Sequence, residues 1–353
     1  MAEQKMTVRK EKYIDQRVDG TAEDAVFTQI GSLLKALRPE WFLDQVIYKP
    51  FTNGITNKVI SVQGGKDEKL IFRIFGVGTE KVVDRNSELK NFELLSQYGL
   101  APGVEARFKN GFVCGYLPGE PVDVESVRSP KFVPKIASRI ADLHKIPISS
   151  DAQSSPSFFH TKFHQFINNI PPQWPNKEKF QKFQHLFADA NFERDFNRVA
   201  AAIDRAANQN IVLCHNDLLI YNVLYDEKTD SINFIDYEYT GANYQLFDIA
   251  NHFNEYAGVD NINYDLCPTD EQKYTFVQSY LQSYHGREVD GAEIEKVLAD
   301  IPTFEAASHL LWCVWGLVQA QDSEIDFDYI QYASKRYEQY FKIIQSVDFS
   351  VVI

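Results

Sequence analysis

Leu213-Cys214-His215-Asn216-Asp217-Leu218-Leu219-Ile220-Tyr221-Asn222, followed by Phe234-Ile235-Asp236-Tyr237-Glu238, is the stretch on which the reading of this chain turns. It sets an aspartate, Asp217, an asparagine five residues later, Asn222, and a second aspartate, Asp236, beyond an insert of hairpin length. The apolar runs 211–213 and 222–225 read as strands, so Asp217 falls at a junction held by its flanks. One carboxylate that can orient a hydroxyl, with an amide oxygen and a second carboxylate that can hold Mg2+, is the side-chain set used in phosphoryl transfer from a nucleotide. Alone, Asp217 would be a turn residue, the commonest fate of Asp in loops. Asn222 at its interval and Asp236 at the end of the apolar strand 231–235 turn the reading toward a catalytic carboxylate with two metal ligands. His215 reads as a support of the loop rather than as a base.

The rest of the composition limits the alternatives. A chain of 353 residues is longer than one core usually serves, so two lobes are expected. A formal net charge of −13, with no Lys/Arg cluster, argues against a nucleic-acid partner and favours cationic small molecules. The four cysteines, Cys114, Cys214, Cys267 and Cys313, form no C-x-x-C pair and read as reduced thiols. The N-terminus has no apolar signal region, and no apolar run reaches membrane-spanning length. A cytoplasmic protein is the expectation.

Along the chain, residues 1–20 read as a polar leader and a candidate for disorder. A helix is expected from 21 to about 37, then strands at 45–48, 58–62 and 70–75, the last two joined by the turn residues Gly64-Gly65-Lys66-Asp67. A helix follows at 87–98 with Gly99 past its end, and a strand at 111–117 stops at Pro118-Gly119. Beyond lie amphipathic helices at 131–144, 180–190, 192–207, 271–284, 292–299, 303–321 and 329–347, interrupted by short strands within 211–236. Residues 149–157, rich in Ser and Pro, read as a loop. This is an α+β pattern: a small β-rich N-lobe over 21–117 for the nucleotide and a large, mostly helical C-lobe over 118–353 for the chemistry.

In the N-lobe, Thr52-Asn53-Gly54-Ile55-Thr56-Asn57 could be a lid whose amides approach phosphates or an ordinary hairpin turn. Arg73 lies inside an apolar strand, where a charge is costly unless paired. Glu88, at the start of the next helix, is a suitable partner. The pair matches the strand-cation to helix-glutamate pair of kinases, just as Asp-x-x-x-x-Asn matches their catalytic loop.

The longer motifs are more specific. His215-Asn216-Asp217-Leu218-Leu219, the run 234–239, the run 247–255 and the run 307–320 resemble the choline/ethanolamine kinase family, over about 51–340. The resemblance implies a bilobal protein-kinase-like fold and phosphorylation of an amino alcohol with ATP and Mg2+. It implies that Asp217 is the catalytic aspartate, Asn222 and Asp236 the metal ligands, and Arg73 with Glu88 the phosphate-side ion pair. The nucleotide would be met by Asn53, Gly54, Thr56 and Asn57, and its base by the backbone of Tyr116 and Leu117. Asp248 would support the catalytic loop. Asp-Tyr-Glu stands where protein kinases have Asp-Phe-Gly, and no Ala-Pro-Glu segment is found, so a protein substrate is not expected.

Trp312 and Trp315 share one side of a helix, with Phe327 and Tyr332 after an acidic turn. Aromatic faces and carboxylates attract ammonium ions. By spacing alone the tryptophans read as core, since Leu310, Val314, Leu317 and Val318 share their helix. The resemblance reverses that and makes Trp312, Trp315, Phe327, Tyr332 and Glu255 the amino-alcohol pocket. Within the family, the runs 82–86 and Leu218-Leu219 look more like ethanolamine than choline kinases. Choline kinase remains an alternative, as does a pseudokinase that binds a head group or a partner. Monomer and homodimer are both open.

Overall fold

The computed structural model describes residues 12–20, 22–51, 57–65, 68–76, 84–322 and 327–346. The chain divides into two compact units, Met1–Pro118 and Gly119–Ile353.

The first unit is a six-stranded sheet with helices. Its strands are β1 (Lys12–Ile14), β2 (Ile47–Phe51), β3 (Asn57–Gly64), β4 (Glu68–Phe75), β5 (Val104–Phe108) and β6 (Gly111–Gly115), in the order β1-β5-β6-β4-β3-β2. Its helices are α1 (Glu23–Leu37) and α2 (Arg85–Gln97). Ile30, Leu33 and Leu34 of α1 recur at helical spacing and pack with Ile60, Val62, Leu70 and Phe72 of the sheet. The β3–β4 hairpin pairs Val59 with Arg73, and β6 flanks the other side of Arg73 through Phe112. Gly111 permits that fit: a Cβ there would lie 2.1 Å from the Arg73 carbonyl oxygen. Asp84 caps α2 by accepting from the amides of Asn86 and Ser87, which fixes the turn that presents Glu88.

The second unit is mostly helical. It contains β7 (Glu120–Pro121), α3 (Val133–His144), α4 (Ser150–Ser154), α5 (Phe158–Asn168), α6 (Lys177–Leu186), α7 (Phe192–Arg205), β8 (Ile211–Cys214), β9 (Val223–Asp226), β10 (Ser231–Phe234), β11 (Gly241–Tyr244), α8 (Gln245–Glu255), α9 (Asp270–His285), α10 (Gly291–Asp322) and α11 (Tyr329–Ser346). Helix α10 is the hub, packed by α11, α8, α5, α7 and α9. Ile294, Phe304, Ala307, Leu310, Leu311, Val314 and Leu317 are all fully buried, the signature of a helix covered on several sides. No described helix is long and apolar enough to cross a membrane.

Several expectations need correction. Lys12–Ile14, assigned to the leader, pairs in parallel with β5, and β5 itself was not foreseen. The strand expected at 45–48 starts later, after a 3-10 turn at Leu43–Gln45. The loop expected at 149–157 holds the short helix α4, capped by the Ser149 hydroxyl, and α5 follows it. The two helices expected on either side of Pro302 are one, α10. Proline removes one helical hydrogen bond; here Ile301 and Phe304 beside it are buried, and packing holds the helix through the break.

Candidate active site

Strand β8 delivers the catalytic-loop sequence and Asp248, in the first turn of α8, holds it. The amide of His215 donates to Asp248 Oδ2 and that of Asn216 to Oδ1, both at 2.6 Å. His144 Nε2 donates to Oδ2 at 3.1 Å, while its Nδ1 lies 2.7 Å from the Tyr280 hydroxyl. Asp248 is fully buried, so its charge needs these donors and the favourable end of α8. Among the described residues, His144, Cys214 and Asp248 are a set of side chains spaced to hold a metal. Both oxygens of Asp248 and both ring nitrogens of His144 are already engaged there, so this cluster reads as scaffolding.

The loop is fixed at further points. Burial lowers the pKa of His215, and its Nε2 donates to the Ile235 carbonyl at 2.9 Å. That bond fixes the imidazole against the chain just before Asp236, in keeping with a support of the loop. His252, brought to about 4 by burial, donates from Nδ1 to the Leu218 carbonyl at 3.1 Å. Asn216 adopts φ 69°, a conformation Asn tolerates better than most residues. Its amide nitrogen donates to the Tyr239 carbonyl at 2.9 Å, and its oxygen accepts from Asn243 at 2.7 Å.

Asn222 and Asp236 are brought together by the β9–β10 hairpin. Val223 is paired with Phe234, and the Ile235 amide donates to the Asn222 carbonyl at 3.0 Å, so the two residues flank the same end of the ladder. The Asn222 side chain donates from Nδ2 to the Asp217 carbonyl at 2.9 Å, which ties it to the loop and leaves Oδ1 as its acceptor. Asp236 is left-handed at φ 66°, a strained geometry of the kind that collects at functional sites. An amide oxygen and a carboxylate from a rigid hairpin are hard oxygen donors and fit Mg2+. The Asp217 carboxyl is pushed well above the ordinary range, first by burial and then by the charges of Asp236, Glu255 and Glu238, with Arg336 opposing. Asp217 therefore sits in an acidic concentration that a cation would relieve.

Next to these acids lies an aromatic wall. The Trp312 indole donates to Asn251 Oδ1 at 2.8 Å, as does the Ser308 hydroxyl. The Trp315 indole donates to the Tyr239 hydroxyl at 2.9 Å. Trp312 and Trp315 meet edge to face with centroids 5.6 Å apart, and Tyr239 meets Trp312 at 5.3 Å. Tyr332 lies 6.2 Å from Trp315 and 5.8 Å from Phe327. The tryptophans are both core, at 3% and 7% exposure, and polar-tethered, so the two readings of them are not exclusive. Glu255, 2% exposed, is bonded to Arg336 of α11.

Sequence reasoning missed Arg336, Asn251, Tyr239 and His309 as parts of this wall. Arg336 carried one available signal, its position one helical turn after Tyr332. Apart from the Tyr332 hydroxyl, the partners of these four are remote in sequence.

The first unit carries its own charged centre. Arg73 and Glu88 are 3.4 Å apart, and Arg85 meets the other Glu88 oxygen at 2.8 Å, a second arginine that the sequence reading left out. Glu88 is thus shared between two guanidinium groups. Asn57 opens β3 opposite Phe75, and Tyr116 and Leu117 follow β6 outside any regular element. Asn53, Gly54 and Thr56 lie outside the described residues, as do most of the acids of the turn before Phe327.

The pattern of a β-rich unit, a pinned Asp-x-x-x-x-Asn loop and a hairpin aspartate defines a protein-kinase-like α+β phosphotransferase fold. The family model described as choline/ethanolamine kinase matches residues 48–341, and the chain belongs to that family of small-molecule kinases. It is 37% identical over 320 residues to ethanolamine kinase 2 of Homo sapiens, covering 88% of this chain and 79% of that one. It is 36% identical over 341 residues to a probable ethanolamine kinase of Nematostella vectensis, covering 93% and 95%. Among solved structures, an ethanolamine kinase of Plasmodium vivax superposes with a TM-score of 0.79 at 28% identity, covering 90% of this chain and 89% of that one.

Proposed function

We propose that this chain transfers the γ-phosphoryl group of ATP to the hydroxyl of ethanolamine, with Asp217 orienting that hydroxyl. The observation that carries the reading is the tie of Asn222 to both sides of the site: its side chain bonds the Asp217 carbonyl and its own carbonyl bonds the amide before Asp236. The names of its relatives in Homo sapiens and Nematostella vectensis support ethanolamine as the acceptor.

In this mechanism Asp217 accepts a hydrogen bond from the substrate hydroxyl and takes its proton late. A loose phosphoryl-transfer transition state asks for alignment more than for base strength, and the bonds to Asp248, His252 and Asn222 supply rigidity. Mg2+, held by Asn222 and Asp236, would neutralise the phosphate oxygens. Arg73, oriented by Glu88, adds positive charge toward the nucleotide. The ammonium rests against Trp312, Trp315, Phe327 and Tyr332 with Glu255 as its counter-charge. A cytosolic setting belongs to the same reading, supported by four unpaired cysteines.

The test is a panel of amino alcohols with labelled ATP. Transfer to ethanolamine in preference to choline is the expected result. Preference for choline would move the chain to the other branch of its family, and Mg-ATP binding without transfer to any amine would make it a binding module.

A further inference from the structure

Glu255 keeps one carboxylate oxygen, Oε2, without a hydrogen-bond partner among the described residues, although the residue is only 2% exposed. A buried carboxylate oxygen left unpaired is unfavourable unless something outside the chain completes it. The other oxygen, Oε1, is taken by Arg336. Arg336 is itself 3% exposed, and it bonds in three directions: Nη2 to Glu255, Nε to the Tyr332 hydroxyl at 3.1 Å, and Nη1 to His309 Nδ1 at 3.3 Å. His309 can accept because burial and the guanidinium keep it neutral.

A buried guanidinium next to a site for an ammonium is electrostatically adverse. Nor is it explained by stability, since a buried ion pair is often no better than apolar residues of the same volume. Its use is geometric. A planar guanidinium bonded to three side chains fixes the plane of the carboxylate it holds, which a lysine ammonium on a flexible stem cannot do.

We propose that Arg336 is a positioning residue that sets amine selectivity, by holding Glu255 so that Oε2 is presented as a directed acceptor for a substrate N–H. This rests on the amino-alcohol reading of the pocket and adds the source of its discrimination. A primary ammonium has N–H donors to give Oε2. A trimethylated one has none and is held by the aromatic faces and diffuse charge alone. Loss of the fixed carboxylate plane should therefore penalise ethanolamine more than choline.

The experiment is Arg336→Lys, assayed with ethanolamine, its N-methyl and N,N-dimethyl derivatives, and choline. The expected result is a rise of about tenfold in KM for ethanolamine, under about threefold for choline, and graded values between them. The kcat values and the KM for ATP should stay within about twofold, since the hydroxyl end is untouched. If Arg336→Lys does not fold, the paired change Glu255→Gln with Arg336→Met removes both charges together and should show the same flattening of preference. An equal loss for every amine, or an unchanged ratio of kcat/KM between ethanolamine and choline, overturns the proposal and leaves the kinase reading intact. A wild-type enzyme inert toward all four amines overturns the kinase reading, and this proposal with it.

Discussion

The loop that carries Asp217 and the pocket that carries Glu255 are built in opposite ways. Asp217, Asn222 and Asp236 fall within twenty residues of one another and are joined mainly by backbone hydrogen bonds around a hairpin. The pocket draws Tyr239, Asn251, Glu255, Trp312, Trp315, Tyr332 and Arg336 from α8, α10, α11 and the segment before β11. The loop's main chain is pinned by Asp248, His215 and His252. Among the described residues both regions keep buried polar atoms without partners, His215 Nδ1 and His252 Nε2 behind the loop and Glu255 Oε2 and Asn251 Nδ2 beside the aromatic wall. In the proposed reaction, chemistry that must not move rests on short-range geometry, and recognition of the amine is assembled from distant pieces.

If that contrast is right, damage to the loop should appear in kcat and damage to the pocket in KM. Asp236→Ala should lower kcat by about 10³-fold or more while leaving the KM for ethanolamine within a few-fold, measured by steady-state assay with labelled ATP. A KM effect alone would break the contrast at its strongest point. Asp248→Ala should lose about 3–5 kcal/mol of stability in urea unfolding, because His144 and two loop amides are left buried without their acceptor. Trp312→Ala should raise the KM for ethanolamine about tenfold with little change in that for ATP, and an equal change in both would return Trp312 to a purely structural role.

The smallest effect sharpens the contrast through pH. The folded protein favours the protonated form of Asp217, because burial and the neighbouring acids raise its pKa. Its contribution to stability is therefore complete below the ordinary carboxylate range of about pH 4 and is lost as pH rises through the raised value. Asp217→Asn removes that loss. In the absence of metal it should melt about 1–4 °C above the wild type near pH 8, a gap that closes toward pH 4. A variant less stable than wild type at both pH values would mean that the carboxylates do not repel as described.

Legibility followed the same division. Strands β3 and β4, helix α2 and the loop were readable because strand-like runs on either side of turn residues, helical periodicity stopped by Gly99 and a five-residue interval are local signals. The Arg73–Glu88 pair was readable because a charge within an apolar strand requires a partner. Strand β1 was not: its three residues have no alternation to notice and exist through pairing with β5. Pro302 misled because local backbone chemistry ends a helix there, whereas burial of Ile301 and Phe304 continues it. Arg336 was unreadable for the same kind of reason, since a lone arginine on an amphipathic helix reads as surface until Glu255, eighty-one residues away, is set against it.

The most direct measurement pairs turnover with binding in a single variant, Asp217→Ala, using transfer of labelled phosphate to ethanolamine and calorimetry with Mg-ATP. The account requires turnover to fall by about 10²–10⁴-fold while the nucleotide Kd stays within a few-fold of wild type. Turnover near the wild-type level, with the same nucleotide affinity, would contradict it.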